Sequence, residues 1–249
     1  MSGLLLALTL LSAVPGTAGS GGSLDDRFRA ANELARAGDY PGAVAAYAEV
    51  AAAGGGSASL YWNWAQAAAA RGASGEALWA LLRAREVEPG DRAVRREIER
   101  LREALNLDPA EIAPEPLAAV ARVVRRFHLD LLAAVLLAAS VLLHGLARLD
   151  PGVRGGRAAA LTLLALGLLA ATAPLAARLA RPTASVVRRG APLFDAASPT
   201  AEPRGALREG EVVPVLEASG GWLRVEDNAG ARGWARSADV RRLDRAAGE

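Results

Sequence analysis

The chain has 249 residues, 52% of them hydrophobic, with 29 basic and 27 acidic side chains and a formal net charge of +2. Every basic residue other than the two histidines is arginine. With no lysine and no cysteine, Schiff-base and P-loop lysine chemistry, disulfides, thiolate metal sites and thiol nucleophiles are all excluded. The high pI of about 9.6 does not mark a nucleic-acid binder, because of where the charge sits. Residues 24–112 carry eleven arginines against fourteen acids and residues 182–249 carry ten against ten; the excess, eight against three, lies in residues 113–181.

Residues 1–19 read as a signal peptide. An apolar run from Leu4 to Val14 meets Pro15 and then small residues from Gly16 to Ser23, with cleavage expected after Ala18 or Gly19. No arginine precedes the run. Residues 24–112 are alanine-rich and helical in period, and contain an internal repeat. Gly38, Ala43 and Tyr47 recur as Gly72, Ala77 and Leu81, each pair 34 residues apart. The glycines permit tight turns and the alanines allow close helix approach. A 34-residue helix–turn–helix period resembles the tetratricopeptide repeat, with Pro89 closing the second unit. A third helix, about Arg92–Leu105, places Val94, Ile98, Leu101 and Leu105 on one stripe and is expected to cap the repeats with its polar face. Residues 113–128 form a linker and juxtamembrane segment, beginning Ala113-Pro-Glu-Pro116.

Two long apolar runs follow, and each is long enough to cross a bilayer. They predict transmembrane helices over 129–147 and 158–177, joined by a turn containing Arg148, Arg154 and Arg157. Ala134/Ala138 and Gly167/Ala171 are small-residue pairs suited to packing the two helices, and Pro174 is expected to kink the second. Export by the signal peptide would place both flanking domains outside and the turn in the cytoplasm. The flanking Arg122, Arg125, Arg126, Arg178 and Arg181 oppose this on the positive-inside rule, and the export signal is given precedence.

From 183 to 243 the helical period disappears. Short β-leaning runs lie at 184–187, 211–216, 221–225 and 233–235, with Asp227-Asn-Ala-Gly230 as a hairpin turn; about five strands predict a small barrel. The pattern Gly221-Trp222-Leu-Arg-Val225 … Gly233-Trp234-Ala-Arg-Ser-Ala-Asp-Val240 resembles bacterial SH3-like domains. That resemblance places an initial strand near Val186–Leu193, ahead of Leu207–Val213.

The expected fold class is therefore a multidomain membrane protein. It has an all-α tetratricopeptide-repeat domain, two transmembrane helices and a small all-β SH3-like barrel. The order of these parts is similar to that of BatE-type proteins of bacterial aerotolerance (Bat) clusters. The resemblance implies an envelope scaffold linked to oxidative or envelope stress, with von Willebrand A-domain membrane proteins and a MoxR-type ATPase system as partners. It also implies location at the bacterial inner membrane, with both soluble domains periplasmic or extracytoplasmic.

No Walker A, His-Glu-x-x-His or Gly-x-Ser-x-Gly sequence is present, so no enzyme, catalytic residue, cofactor or metal is expected. His128 and His144 lie at the ends of the first apolar run and are expected to sit at the membrane interface or to pack. The expected activity is binding. By analogy with the repeats, Phe28, Asn32 and Arg36 of one helix and Trp62 and Gln66 of another would line a groove for an extended protein partner; their spacing places each set on one helix face. Trp222 and Trp234 are the candidate SH3-like surface, expected at the core or rim of the barrel. The alternative reading is a cell-wall binder that grips peptidoglycan through this domain.

Overall fold

The computed structural model describes residues 23–54, 56–113, 123–124, 127–149, 156–178 and 182–243. The signal peptide, most of the linker and the centre of the arginine-bearing turn lie outside these residues.

The first part is a stack of five helices: α1 (Leu24–Arg36), α2 (Tyr40–Ala52), α3 (Ala58–Ala70), α4 (Ser74–Val87) and α5 (Arg92–Ala104), each packed on the next. Their starts follow from local chemistry. Ser23 and Asp26 form a reciprocal capping box on α1. Asp39, Ser57 and Asp91 each accept a hydrogen bond from the first turn of α2, α3 and α5. Gly38 and Gly72 end α1 and α3 in the left-handed region, at φ 83° and 80°, as the repeat predicts. Alone among the five, α4 begins at a residue without a side-chain acceptor, Ala73. The core holds Tyr47, Leu60, Tyr61, Trp64, Leu78, Trp79, Leu81 and Leu82. Val94, Ile98 and Leu101 of α5 are buried as expected; Leu105 is the helix C-cap and only half-buried. A 3₁₀ turn, Pro109–Ile112, closes this unit.

Helices α6 (Leu129–Leu149) and α7 (Gly156–Arg178) are both long and apolar enough to cross a membrane. They pack side by side, and only 11% of each 18-residue apolar window is buried. A helix of a soluble core would be mostly covered. The contact stripe contains Ala133, Leu137 and Ser140 on α6, and Ala160 and Gly167 on α7. The Ser140 hydroxyl donates to the Ala160 carbonyl at 2.8 Å. A Cβ on Gly167 would lie 2.8 Å from Leu137 Cδ2, so this glycine sets the approach. Of the expected small pairs, Ala134 and Ala138 instead lie on the exposed face, one position off the stripe. Helix α7 continues through Pro174.

The C-terminal part is one antiparallel sheet of seven strands in the order β3-β2-β6-β5-β4-β1-β7. The strands are β1 (Thr183–Val186), β2 (Ala191–Phe194), β3 (Pro203–Leu207), β4 (Val212–Ser219), β5 (Trp222–Glu226), β6 (Arg232–Arg236) and β7 (Val240–Arg242). The segment expected as one strand near Val186–Leu193 is two strands, separated by a turn with Gly190 at φ 65°. The β5–β6 hairpin closes where predicted: Asp227 Oδ1 accepts from the backbone N–H groups of Ala229 and Ala231. A register shift between Val215 and Glu217 marks an irregularity in β4, which pairs with β1 on one side of it and with β5 across it. Val186, Val213, Leu223, Val225 and Val240 fill a small aliphatic core.

The five-helix unit and the sheet share buried surface. Val212 and Leu243 belong to the helical core cluster, and Val187 packs against it.

Candidate functional site

Two surfaces collect the residues singled out by sequence, and the junction between the units makes a third.

The first is a cleft of about 460 Å³ lined by Asn32, Arg36, Tyr40, Tyr47, Asn63, Gln66 and neighbouring alanines. The cleft brings together three of the five expected groove residues: Asn32, Arg36 and Gln66. Asn32 is fixed by its neighbours. Its Oδ1 accepts from the Tyr47 hydroxyl at 2.7 Å and from Asn63 Nδ2 at 2.9 Å, which sets the orientation of the amide. Burial pushes the Tyr47 phenol above its ordinary pKa, and the nearby Arg36 charge offsets part of that rise. Phe28 and Trp62 are outside the lining. Both are half-buried and pack against the helical core, Phe28 with its ring 6.1 Å from that of Tyr47. Trp64, on the same helix as Trp62, is fully buried. Sequence reasoning did not single out Tyr47 or Asn63 for this cleft. The signal was available in spacing: Asn63 falls 31 positions after Asn32, near the repeat length.

The second surface is on the outer face of the sheet. Trp222 and Trp234 are half-buried and outside the aliphatic core, so they belong to the rim. Trp222 meets Phe194 edge-on, with centroids 5.4 Å apart, and the Arg236 guanidinium lies 5.5 Å from the Trp222 ring and 5.9 Å from that of Phe194. Trp234 pairs with Phe194 across β6 and β2. Aromatic faces beside a cation form a platform able to stack on planar or apolar groups.

The third is the junction. Glu76 of α4 is buried and accepts from Trp64 Nε1 at 3.2 Å and from Arg241 of β7 at 2.7 Å; it also pairs with Arg71. Arg241 lies over the rings of Trp64 and Trp79, at 5.5 and 5.1 Å. Trp79 Nε1 donates to the Arg242 carbonyl at 3.0 Å, and Arg83 bonds the Leu243 carbonyl. The N-terminus of α4, which lacks a cap of its own, is capped from the other unit: the Gly75 N–H donates to Glu209 Oε1 at 2.7 Å. Gly75 has to be glycine here, because a Cβ would lie 2.8 Å from the Val187 carbonyl and 2.9 Å from that of Val186. Gly210, at φ 83°, fits against Leu105, Leu107 and Leu78 in the same way.

Among the described residues, no group of three or more His, Asp or Glu is arranged to hold a metal. No curated protein and no solved structure matches the chain. Residues 187–241 match the bacterial SH3 domain family, a span that starts just after β1 and ends at the Arg241 that grips Glu76, and the C-terminal sheet is similar to that family.

Proposed function

We propose that this chain is a membrane-anchored binding protein of the bacterial envelope, similar to BatE-type scaffolds. In this reading the helical unit is a pair of tetratricopeptide repeats with its cleft at Asn32, Arg36 and Gln66 open to a protein partner. Helices α6 and α7 cross the cytoplasmic membrane, and both soluble parts lie outside the cytoplasm. The chain works by recruitment rather than catalysis. The observation that carries the reading is the joining of a bacterial SH3 domain to a helical unit through a shared core, with two exposed apolar helices between them in sequence.

The test is a tagged full-length chain expressed with candidate partners that have von Willebrand A domains. The expected result is that the chain stays with membranes after alkaline extraction and copurifies such a partner, and that Arg36→Glu with Gln66→Ala abolishes the copurification. Extraction into the soluble fraction, or partner capture unaffected by both substitutions, overturns the reading.

A second reading has its own observation, the Phe194–Trp222–Arg236 platform: the sheet binds peptidoglycan directly. Cosedimentation of the detergent-solubilised chain with purified cell wall, lost in Trp222→Ala, supports this; no cosedimentation removes it.

A further inference from the structure

Between the helical unit and the sheet lies a cavity of about 970 Å³, separate from both the Asn32 cleft and the Trp222 platform. Its walls come from both units: the start of α4 on one side, and the turns after β1, after β3 and before β7 on the other. Domain junctions are common places for small-ligand pockets.

The charge of the lining is unequal, with five guanidinium groups against three carboxylates. Each carboxylate has at least one donor, although Asp239 Oδ2 is buried without one. Glu76 holds both Arg71 and Arg241, Glu209 holds the Gly75 N–H, and Asp239 holds Arg188 at 3.2 Å. Arg208 reaches out to Glu111. Two arginines thus share one carboxylate, and Arg189 has no ion pair or hydrogen bond among the described residues. Ser74, in the first turn of α4, adds a hydroxyl, while the Gly75 N–H beside it is taken by Glu209. Guanidinium groups and a hydroxyl are donors that suit a tetrahedral oxyanion.

We propose that this junction cavity binds a phosphate group, with Arg189 as its principal side-chain contact and Arg71, Arg188 and Ser74 completing the shell. A phosphate there touches both units at once, so its binding tightens the junction as well as filling it. The group could be carried by a soluble phosphate compound or by the headgroup of a phospholipid, and the same chemistry recognises both.

The probe is inorganic pyrophosphate, added to the full chain in a non-ionic detergent at constant ionic strength, with chloride as control. The expected result is a saturable rise in the unfolding temperature. Arg189→Gln should leave the temperature without pyrophosphate unchanged, because Arg189 holds nothing else, and should weaken pyrophosphate binding about tenfold, the loss of one charge-assisted hydrogen-bonding partner. A parallel arm uses short-chain phosphatidylglycerol against phosphatidylcholine of the same chain length. A saturable shift with pyrophosphate alone assigns a soluble phosphate, and one with phosphatidylglycerol alone assigns a headgroup. No saturable shift with either probe, or equal shifts in wild type and Arg189→Gln, overturns the proposal.

Discussion

Arg241, on the last strand, donates at 2.7 Å to the carboxylate of Glu76, which stands 165 positions earlier in the first turn of α4. Around this contact Trp64 and Trp79 provide an aromatic wall, so the charge pair is shielded from water on the tryptophan side and from the sheet side by β7. It joins the helical unit to the sheet across the two apolar helices that separate them in sequence.

Removing the carboxylate should be costly. Glu76→Ala leaves Arg71, Arg241 and the buried Trp64 N–H without their shared acceptor. Loss of one partner from a buried pair costs about 3–5 kcal/mol, and the lower end applies because both arginine side chains are 34% exposed. Arg241→Ala should cost about 1–2 kcal/mol less, since Arg71 still pairs with Glu76. The double variant should fall short of the sum of the two. Denaturant unfolding followed by tryptophan fluorescence measures all three; a Glu76→Ala chain as stable as wild type would contradict the lock.

The junction glycines give a separate test. Gly75→Ala and Gly210→Ala each push a Cβ into atoms 2.7–2.9 Å away across the junction, and Gly210 also has a backbone conformation that alanine resists. Each should separate the helical unit from the sheet and expose the segment after Leu105 to protease. Gly145→Ala, where a Cβ meets nothing within 4 Å, is the control and should change neither. Equal protease sensitivity in all three variants would show that the contact is not tight.

Acid and alkali should act at different places. The Ser23 hydroxyl and backbone N–H, aided by Arg29, hold the Asp26 carboxyl below the usual carboxylate range; Arg100 does the same for Glu97, against the opposing effect of burial. A lowered carboxylate lends stability that is complete above its unfolded pKa and is lost as the pH falls through the folded value. The start of α1 should therefore fray first in acid, seen as faster amide exchange there, and Asp26→Asn should show that fast exchange already at neutral pH. Tyr47 runs the other way. Its phenol is raised by burial, so its contribution holds below about pH 10 and is lost as the pH rises through the folded value. Ultraviolet titration should show a late-titrating tyrosine that disappears in Tyr47→Phe; a titration curve unchanged by that substitution would contradict it.

The absence of cysteine makes the placement of the two units directly measurable. Ala45 and Ser219 are both exposed, one on each unit. Single Ala45→Cys and Ser219→Cys chains in intact cells should react alike with a membrane-impermeant maleimide, because units that share a core occupy one compartment. Labelling of one without the other would be incompatible with the junction.

Local chemistry was legible in the sequence. Turn glycines, the α5 stripe and the Asp227 hairpin all depend on neighbours within a few positions, and the 34-residue spacing is visible as a period in the chain. Two strands gave no signal. β3 begins with Pro203 and is exposed over four of its five residues, as an edge strand can be, so it lacks alternation. β7 has three residues, two of them arginine, and is a strand only because β1 pairs with it. Trp62 and Phe28 share a helix face with true cleft residues, and period alone cannot tell the face that turns toward a neighbouring helix from the face that turns outward. The junction was hidden for a stronger reason: Glu76, Glu209 and Arg241 look like ordinary surface charges until the fold brings them together.

The shared core also changes what lies between its two halves. The two apolar helices lie in sequence between the helical unit and the sheet, so the apolar hairpin is an insertion in one body rather than a tether between two. Whatever the hairpin is embedded in therefore sees the Asn32 cleft and the Trp222 face at a fixed angle to each other, as two jaws of one tool.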